Sequence, residues 1–257
     1  MYRFFLLLIM ILFINGCSSP ETNEDTKGIE LTVSAATSMQ HVLLEMKNMF
    51  EKEHPTIDIA FNFGASGALS QQISQGAPVD IFLSASEEKF QAVVKEGLIY
   101  EEYQKNVIGN ELVLIVPKDN PNKITSVEDV KKEVVRLSIG IPESVPAGMY
   151  AKESLMNMGL WNDIENKLVF AKDVRQVLTY VKTGNVDAGF VYKTDTLNSD
   201  KIHIVTSVEP IHHSEIIYPI GIVKTSKHLE EAKLFYEFLL SKKALALFEE
   251  YGFTRLQ

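Results

Sequence analysis

The stretch ELTVSAATSMQHVLLEMKNMF, residues 30–50, indicates the fold class. Its first part, residues 30–36, favours a buried strand. After Thr37-Ser38, apolar residues recur at the three- and four-residue spacing of an amphipathic helix, and a hydroxyl residue is the expected N-cap. The apolar positions of that helix are Met39, Val42, Leu43, Met46, Met49 and Phe50. A buried strand that runs directly into a helix is the repeating unit of an α/β protein.

The same unit recurs along the chain. Predicted strands and helices alternate as far as residue 192, and a long apolar strand is predicted over 107–116. A late strand over 216–223, which contains Pro219, precedes helix in two pieces over 226–248. This alternation predicts an α/β protein with mixed, mostly parallel sheets flanked by helices. We expect two lobes, with residues 29–110 and 218–257 in lobe 1, residues 111–217 in lobe 2, and the connecting strands acting as hinges.

Composition excludes several classes of protein. The chain has 257 residues, of which 46% are hydrophobic and 23% are charged, and its formal net charge is −9. This balance is typical of a globular protein that can bury a sizeable core. We expect no nucleic-acid binding, because the acidic charge is the opposite of the basic surface that such binding needs. The single cysteine excludes an internal disulfide and a four-cysteine zinc site.

The N-terminus has the pattern of an export signal. Residues 4–14 form an unbroken run of eleven apolar residues after Arg3, which is shorter than the roughly 20 needed to span a bilayer. The run ends in Ile14-Asn-Gly-Cys17, which resembles the lipobox of bacterial lipoproteins. We therefore predict a lipoprotein signal peptide over 1–16, lipidation of Cys17 and a flexible tether over 17–28. The protein is then expected on the outer face of the cell membrane, anchored to the lipid bilayer through Cys17.

Four predicted turns from strand to helix share one chemistry. In open α/β sheets, ligands lie outside the carboxyl ends of the strands, where free N–H groups and helix dipoles favour anions. Small residues let the backbone approach a ligand, and serines add hydroxyl donors. Taken singly, each turn is also explained as an ordinary helix cap. Together they predict a small oxyanion held between two lobes. The turns are AATS at 35–38, GASG at 64–67, VPAG at 145–148 and KDVR at 172–175.

These motifs resemble those of the molybdate-binding proteins of bacterial ABC transporters. The resemblance covers essentially all of the chain after Gly28, and its VPAGMYA and DVR stretches are the more specific ones. It implies a two-lobed periplasmic-binding-protein fold of type II. The matching segments are VSAATS at 33–38, FGASGAL at 63–69, GAPVDIFLSA at 76–85, VPAGMYAKESL at 145–155, DVR at 173–175, GFVY at 189–192 and YGF at 251–253.

The resemblance also implies the ligand and the residues that hold it. The expected ligand is molybdate or tungstate, and the expected ligating groups are two serine hydroxyls, two backbone amides and one tyrosine hydroxyl. It implies no catalysis, no cofactor and no metal bound directly by the protein, and it implies a membrane permease as partner. We also expect a monomer. The residues that match are Ser38, Ser66, Ala147, Val174 and Tyr192.

Other functions stay open at this stage. The first alternative is a binding protein for another tetrahedral oxyanion, such as sulfate or phosphate. An enzyme is disfavoured, because the bilane-building synthase of related architecture needs a cysteine within the folded body, and there is no Gly-x-Ser-x-Gly elbow of a hydrolase. A ferric site would need more tyrosine, histidine or carboxylate ligands than the predicted cleft offers. A purely structural surface lipoprotein would bind no small ligand.

Overall fold

A computed structural model describes residues 28–197 and 199–256. The predicted signal peptide, Cys17 and residues 18–27 of the predicted tether lie outside the described residues. The described part of the chain forms strands that we number in order: β1 Ile29–Ala36, β2 Ile57–Gly64, β3 Ile81–Leu83, β4 Ile99–Gly109, β5 Leu112–Pro117, β6 Leu137–Gly140, β7 Leu168–Ala171, β8 Ala188–Tyr192, β9 Ile202–Ser207, β10 Ile217–Val223 and β11 Thr254–Arg255.

Helices separate most of these strands. Short 3₁₀ turns also occur, and the one over Thr37–Met39 leads into the first helix. The α-helices are α1 Gln40–Glu53, α2 Ser66–Ser74, α3 Glu87–Lys95, α4 Val130–Glu133, α5 Pro146–Asn157, α6 Trp161–Ile164, α7 Val174–Lys182, α8 Lys193–Thr196, α9 Leu229–Leu239 and α10 Lys242–Glu250. No helix in the described ranges is both long and apolar enough to cross a membrane.

The strands form two mixed sheets. One has six strands in the order β11-β4-β10-β3-β1-β2, and the other has five in the order β7-β6-β8-β5-β9. Strands β1, β2 and β3 pair in parallel, as do β6, β7 and β8, whereas the pairs made by β4, β5, β9, β10 and β11 are antiparallel. The α/β class with mixed sheets is confirmed, but the sheets are not mostly parallel: four strand pairs are parallel and five are antiparallel, because each sheet adds antiparallel strands beside its parallel ones.

The chain passes from the six-stranded sheet to the five-stranded one between Gly109 and Leu112, and back again between Ser207 and Ile217. The single strand predicted over 107–116 is therefore wrong. The chain leaves the first sheet at Asn110-Glu111, where the side chain of Asn110 accepts the N–H of Glu111. The limits of the two lobes, at 110/111 and 217/218, stay a prediction.

Side-chain caps are present at the starts of α3 and α7, but the hydroxyl cap expected for α1 is absent. Asp173 accepts the N–H of Gln176 at 2.9 Å and caps α7, and Ser86 caps α3. Ser38 does not cap α1 but lies inside the 3₁₀ turn, which leaves its hydroxyl for a tertiary contact. Helix α4 starts at Val130, and before it the Asp129 carboxylate accepts the N–H groups of Thr125 and Ser126 and holds a turn there.

A large apolar core extends beneath both sheets. Buried residues from β1 and α1, such as Val33 and Phe50, belong to the same cluster as Leu114 and Phe190 from the five-stranded sheet. A smaller cluster packs α2 and α3 against β3, where the rings of Phe82 and Phe90 stack with centroids 5.7 Å apart. This packing fixes the helix starts that the sequence singled out.

Candidate functional site

Two of the predicted side chains, from different sheets, meet at one backbone unit. Ala85 follows β3, and its N–H donates to the hydroxyl oxygen of Ser66, the first residue of α2, at 2.9 Å. The hydroxyl of Tyr192, the last residue of β8, donates to the carbonyl oxygen of Ala85 at 3.3 Å. Ser66 and Tyr192 are both almost completely buried. The structure therefore brings these two hydroxyl groups to one point between the sheets.

Ser38 joins this group through a second tyrosine. Its hydroxyl oxygen lies 3.1 Å from the hydroxyl oxygen of Tyr218. The ring of Tyr218 packs against that of Tyr192, with centroids 5.7 Å apart. Ser38 is 9% exposed and Tyr218 is 2% exposed. Three of the five predicted residues therefore belong to two buried hydrogen-bonded groups, which the packing of the Tyr192 and Tyr218 rings connects.

The other two predicted residues lie at helix starts. Ala147 is the second residue of α5 and Val174 is the first residue of α7, and both are buried. The first N–H groups of a helix have no acceptor within the helix, so both amides suit an anion. Within the described part of the chain, the hydrogen bonds do not link either amide to the three hydroxyls. Their grouping with the hydroxyls into one site stays a prediction.

Close backbone contacts join the start of α2 to the turn before α5, and the start of α5 to the end of β6. The N–H of Gly67 donates to the carbonyl oxygen of Ser144 at 2.9 Å, which joins α2 to the turn before α5. A Cβ atom on Gly67 would lie 2.7 Å from both the Cα and the carbonyl oxygen of Ser144. A Cβ atom on Gly148 would lie 2.0 Å from the carbonyl oxygen of Gly140. Only residues without a side chain permit these contacts.

A pocket beside Ser38 carries most of the charge near the site. Arg175 and Lys182 from α7 line it together with His41, and Asp195 is the carboxylate there. Arg175 is half-buried and donates to the side chain of Gln40 on α1. This contact joins α7 to α1.

Asp195 has an unusual protonation equilibrium. Burial raises the pKa of its carboxyl from the ordinary 3.8 to about 7, against the lowering effects of the Tyr192 N–H and of Arg175. That N–H donates to the carboxylate at 3.1 Å. Burial also raises the pKa of the Tyr192 and Tyr218 phenols well above their ordinary range. Both phenols therefore keep their hydrogens and can act as donors near neutral pH.

Sequence reasoning missed three polar residues of this region. Asn110 donates to the hydroxyl oxygens of Tyr218, at 3.0 Å, and Thr194, at 2.9 Å. A polar Asn110 between two apolar runs was a signal that the prediction of one continuous strand concealed. Tyr218 was assigned only to a strand. Within residues 28–197 and 199–256, no group of three or more His, Cys, Asp or Glu residues could hold a metal ion.

Comparison with known proteins identifies relatives over nearly the whole chain. Residues 31–254 match the model of a family described as bacterial extracellular solute-binding protein. A Bacillus subtilis protein named as an ABC transporter substrate-binding lipoprotein is 50% identical over 252 residues, which are 98% of this chain and 96% of that protein. The molybdate-binding protein of Haemophilus influenzae is 34% identical over 231 residues, covering 88% and 90% of the two chains.

A solved structure is similar in both sequence and fold. It is described as the substrate-binding domain of a molybdenum ABC transporter from Clostridium difficile, with 40% identity and a TM-score of 0.69, and the match covers 90% of this chain and all of that one. The expected two-lobed type II fold of periplasmic binding proteins is confirmed by this similarity. The chain belongs to the family of bacterial extracellular solute-binding proteins.

Proposed function

We propose that this protein captures molybdate, and also tungstate, between its two sheets and delivers it to the permease of an ABC importer. One observation carries the proposal: the hydroxyl groups of Ser38, Ser66 and Tyr192 are buried between the two sheets, where each takes part in a hydrogen bond. The 34% identity to a molybdate-binding protein over most of both chains supports the choice of ligand. The proposed ligating groups are these three hydroxyls and the backbone amides of Ala147 and Val174. To donate to the ion, the Tyr192 hydroxyl would exchange the Ala85 carbonyl oxygen for an oxygen of the ion, because a phenol has one hydrogen to donate.

The chemistry of such a site suits a doubly charged oxyanion. Each oxygen of the ion accepts hydrogen bonds, and bonds to a charged acceptor are the stronger kind. Helix starts supply partial positive charge without a cationic side chain. Donor groups of this type let a protein with a net charge of −9 hold an anion. The protein performs no reaction on its ligand; it binds, excludes water and releases.

The proposed place of action is the outer face of the cell membrane. The predicted signal peptide over 1–16 and lipidation of Cys17 support this location, as does the lipoprotein name of the Bacillus subtilis relative. The tether predicted from the sequence over 17–28 would leave the folded part free to meet a permease in the same membrane. We propose that approach of the two lobes around the ion creates the surface that the permease recognises.

Thermal unfolding of the purified protein in the presence of different anions tests the proposed function. We expect molybdate and tungstate to raise the unfolding midpoint, because a ligand at 1,000 times its Kd adds about 4 kcal/mol to the free energy of unfolding. Sulfate should raise it far less because the ion is smaller, and phosphate should raise it least because it also carries a proton.

Sodium chloride at matched ionic strength is the control for general salt effects. A shift of equal size with sulfate and molybdate would assign the site to tetrahedral oxyanions in general. The absence of a shift with all four ions would contradict an oxyanion-binding function.

A further inference from the structure

The hydroxyl of Ser38 ends a chain of hydrogen bonds that begins where the backbone passes between the sheets. The N–H of Glu111 donates to the side-chain oxygen of Asn110 at 2.9 Å. This bond fixes which end of the Asn110 amide is the oxygen and which is the nitrogen. The nitrogen then donates its two hydrogens to the hydroxyl oxygens of Tyr218, at 3.0 Å, and Thr194, at 2.9 Å.

The direction of donation passes from Asn110 through Tyr218 to Ser38. A phenol has one hydrogen to donate, and here its oxygen already accepts one from Asn110. If the oxygen of Tyr218 also accepted from Ser38, the phenol hydrogen would have to find a partner elsewhere in a buried site, where an unmade bond is costly. The favoured arrangement therefore has Tyr218 donating to Ser38 across 3.1 Å. The raised pKa of the Tyr218 phenol keeps that hydrogen in place.

We propose that Tyr218, oriented by Asn110, makes Ser38 a one-way donor toward the bound oxyanion. Because the Ser38 oxygen accepts from Tyr218, the hydrogen of Ser38 is left to point at the ligand. The inference rests on the proposed function and names what selects the ligand. Tyr218 and Asn110 are positioning residues, since they act on the ion only through Ser38.

The second serine follows the same rule by a different route. The oxygen of Ser66 accepts the backbone N–H of Ala85 at 2.9 Å, so its hydrogen is also free for the ligand. A fully deprotonated ion such as molybdate, tungstate or sulfate can accept both hydrogens. Hydrogen phosphate brings a hydrogen of its own, and two serines fixed as donors present hydrogens where that ion needs an acceptor. The network therefore discriminates by protonation state, independently of ion size.

The substitution Tyr218→Phe separates these two kinds of selectivity. Sulfate and phosphate have similar sizes but differ in protonation near neutral pH, so the ratio of their Kd values removes the effect of ion size. Without the phenol, Ser38 can rotate and accept a hydrogen. We expect the affinities for molybdate and sulfate to fall about 3- to 10-fold each, while that for phosphate holds or rises. The ratio of the phosphate Kd to the sulfate Kd should decrease, and the ratio of the sulfate Kd to the molybdate Kd should not change. Competition calorimetry measures all three.

A second variant, Asn110→Asp, reverses the direction of the chain. The new carboxylate still accepts the N–H of Glu111 but can no longer donate to Tyr218, so the phenol donates to the carboxylate and Ser38 must donate to the phenol. The oxygen lone pairs of Ser38 would then face the ion. We expect a larger loss of molybdate affinity than in Tyr218→Phe, part of it from repulsion between the new carboxylate and the ion. The phosphate-to-sulfate ratio of this variant therefore carries the test if Tyr218→Phe does not fold.

A double-mutant cycle and a matched control complete the experiment. In a Ser38→Ala background, Tyr218→Phe should cause no further loss of molybdate affinity, because its effect passes through Ser38. Tyr236→Phe changes a buried tyrosine that packs on Tyr103, away from the site, and should leave every ratio unchanged.

Two results would overturn the inference. One is an unchanged phosphate-to-sulfate ratio in a folded positioning variant, Tyr218→Phe or, where that protein does not fold, Asn110→Asp. The other is a full effect of Tyr218→Phe without the Ser38 hydroxyl. If the unmodified protein binds molybdate while either result is found, only this inference fails. If the unmodified protein binds none of the anions, the proposed function fails, and this inference fails with it.

Discussion

At the scale of the residue, the site depends on where single hydroxyl hydrogens point. Ser66 receives a backbone hydrogen from Ala85, and Ser38 contacts Tyr218. Neither arrangement follows from the serine itself, because a hydroxyl rotates to suit its surroundings. Buried neighbours decide the direction, and they decide it in a place where an unmade hydrogen bond is costly.

The substitution Ser66→Ala tests the role of one hydroxyl. We expect it to weaken molybdate binding by about 1–3 kcal/mol, because the ion loses a donor in a buried site. It should also lower the free energy of unfolding, since the N–H of Ala85 loses its acceptor. Isothermal calorimetry measures the first effect and chemical denaturation the second. Ser74→Ala, at the exposed end of the same helix, is the control. Unchanged affinity in Ser66→Ala would remove this residue from the site.

At the scale of the element, the fold is governed by how helix starts meet loops. Helix α2 begins at Ser66, and its second residue, Gly67, touches the backbone of Ser144 in the turn before α5. Helix α5 in turn begins against the end of β6, where Gly148 meets Gly140. Small residues at both points permit these close backbone contacts, and the contact at Gly67 joins the start of α2 to the turn before α5.

The substitution Gly67→Ala tests the contact between α2 and that turn. The added Cβ would lie 2.7 Å from backbone atoms of Ser144, which cannot move aside as a side-chain end could. We expect molybdate affinity to fall about 5- to 100-fold, the equivalent of about 1–3 kcal/mol of overpacking. Stability without ligand should fall less, because the core of each sheet is untouched. Calorimetry and denaturation on the same samples compare the two losses, with Ser74→Ala as control. A loss of stability as large as the loss in binding energy would contradict a role in bringing the sheets together.

At the scale of the whole molecule, the chain forms two sheets, and the polar side chains of Ser38, Ser66 and Tyr192 are buried between them. Residues of three helices, α1, α7 and α8, are among those that line the pocket with Asp195, Arg175 and Ser38. The protein as a whole is acidic, but this pocket places the cationic side chains of Arg175 and Lys182 beside the Asp195 carboxyl, whose pKa is raised. The charge near the site is therefore unlike that of the molecule as a whole.

The pH dependence of stability tests the environment of Asp195. Its folded-state pKa of about 7 exceeds the ordinary 3.8, so between these values the folded protein holds a proton that the unfolded chain releases. The contribution of Asp195 to stability should therefore fall as pH rises through this window, and it is fully lost above the upper value.

Asp195→Asn should raise stability near neutral pH and flatten this part of the profile, because the amide oxygen can still accept the Tyr192 N–H. Urea denaturation from acid to neutral pH measures the profile, and Asp58→Asn at an exposed position is the control. A variant with the same slope as the unmodified protein would contradict a raised pKa.

Local sequence patterns predicted the α/β class, most strand and helix positions, and the helix starts at residues 66, 146 and 174. These follow from local periodicity and from turn residues, which act over a few positions. The sequence did not predict that the strand over 107–116 divides at Asn110, because both halves are equally apolar and only their pairing in different sheets separates them. It also left Tyr218 as an ordinary strand residue.

Tertiary packing brings Tyr218 into contact with Ser38, 180 residues away in sequence, and brings Tyr192 to Ala85 from the other sheet. Contacts of this kind depend on how two sheets pack, and no local pattern encodes the direction of a hydroxyl.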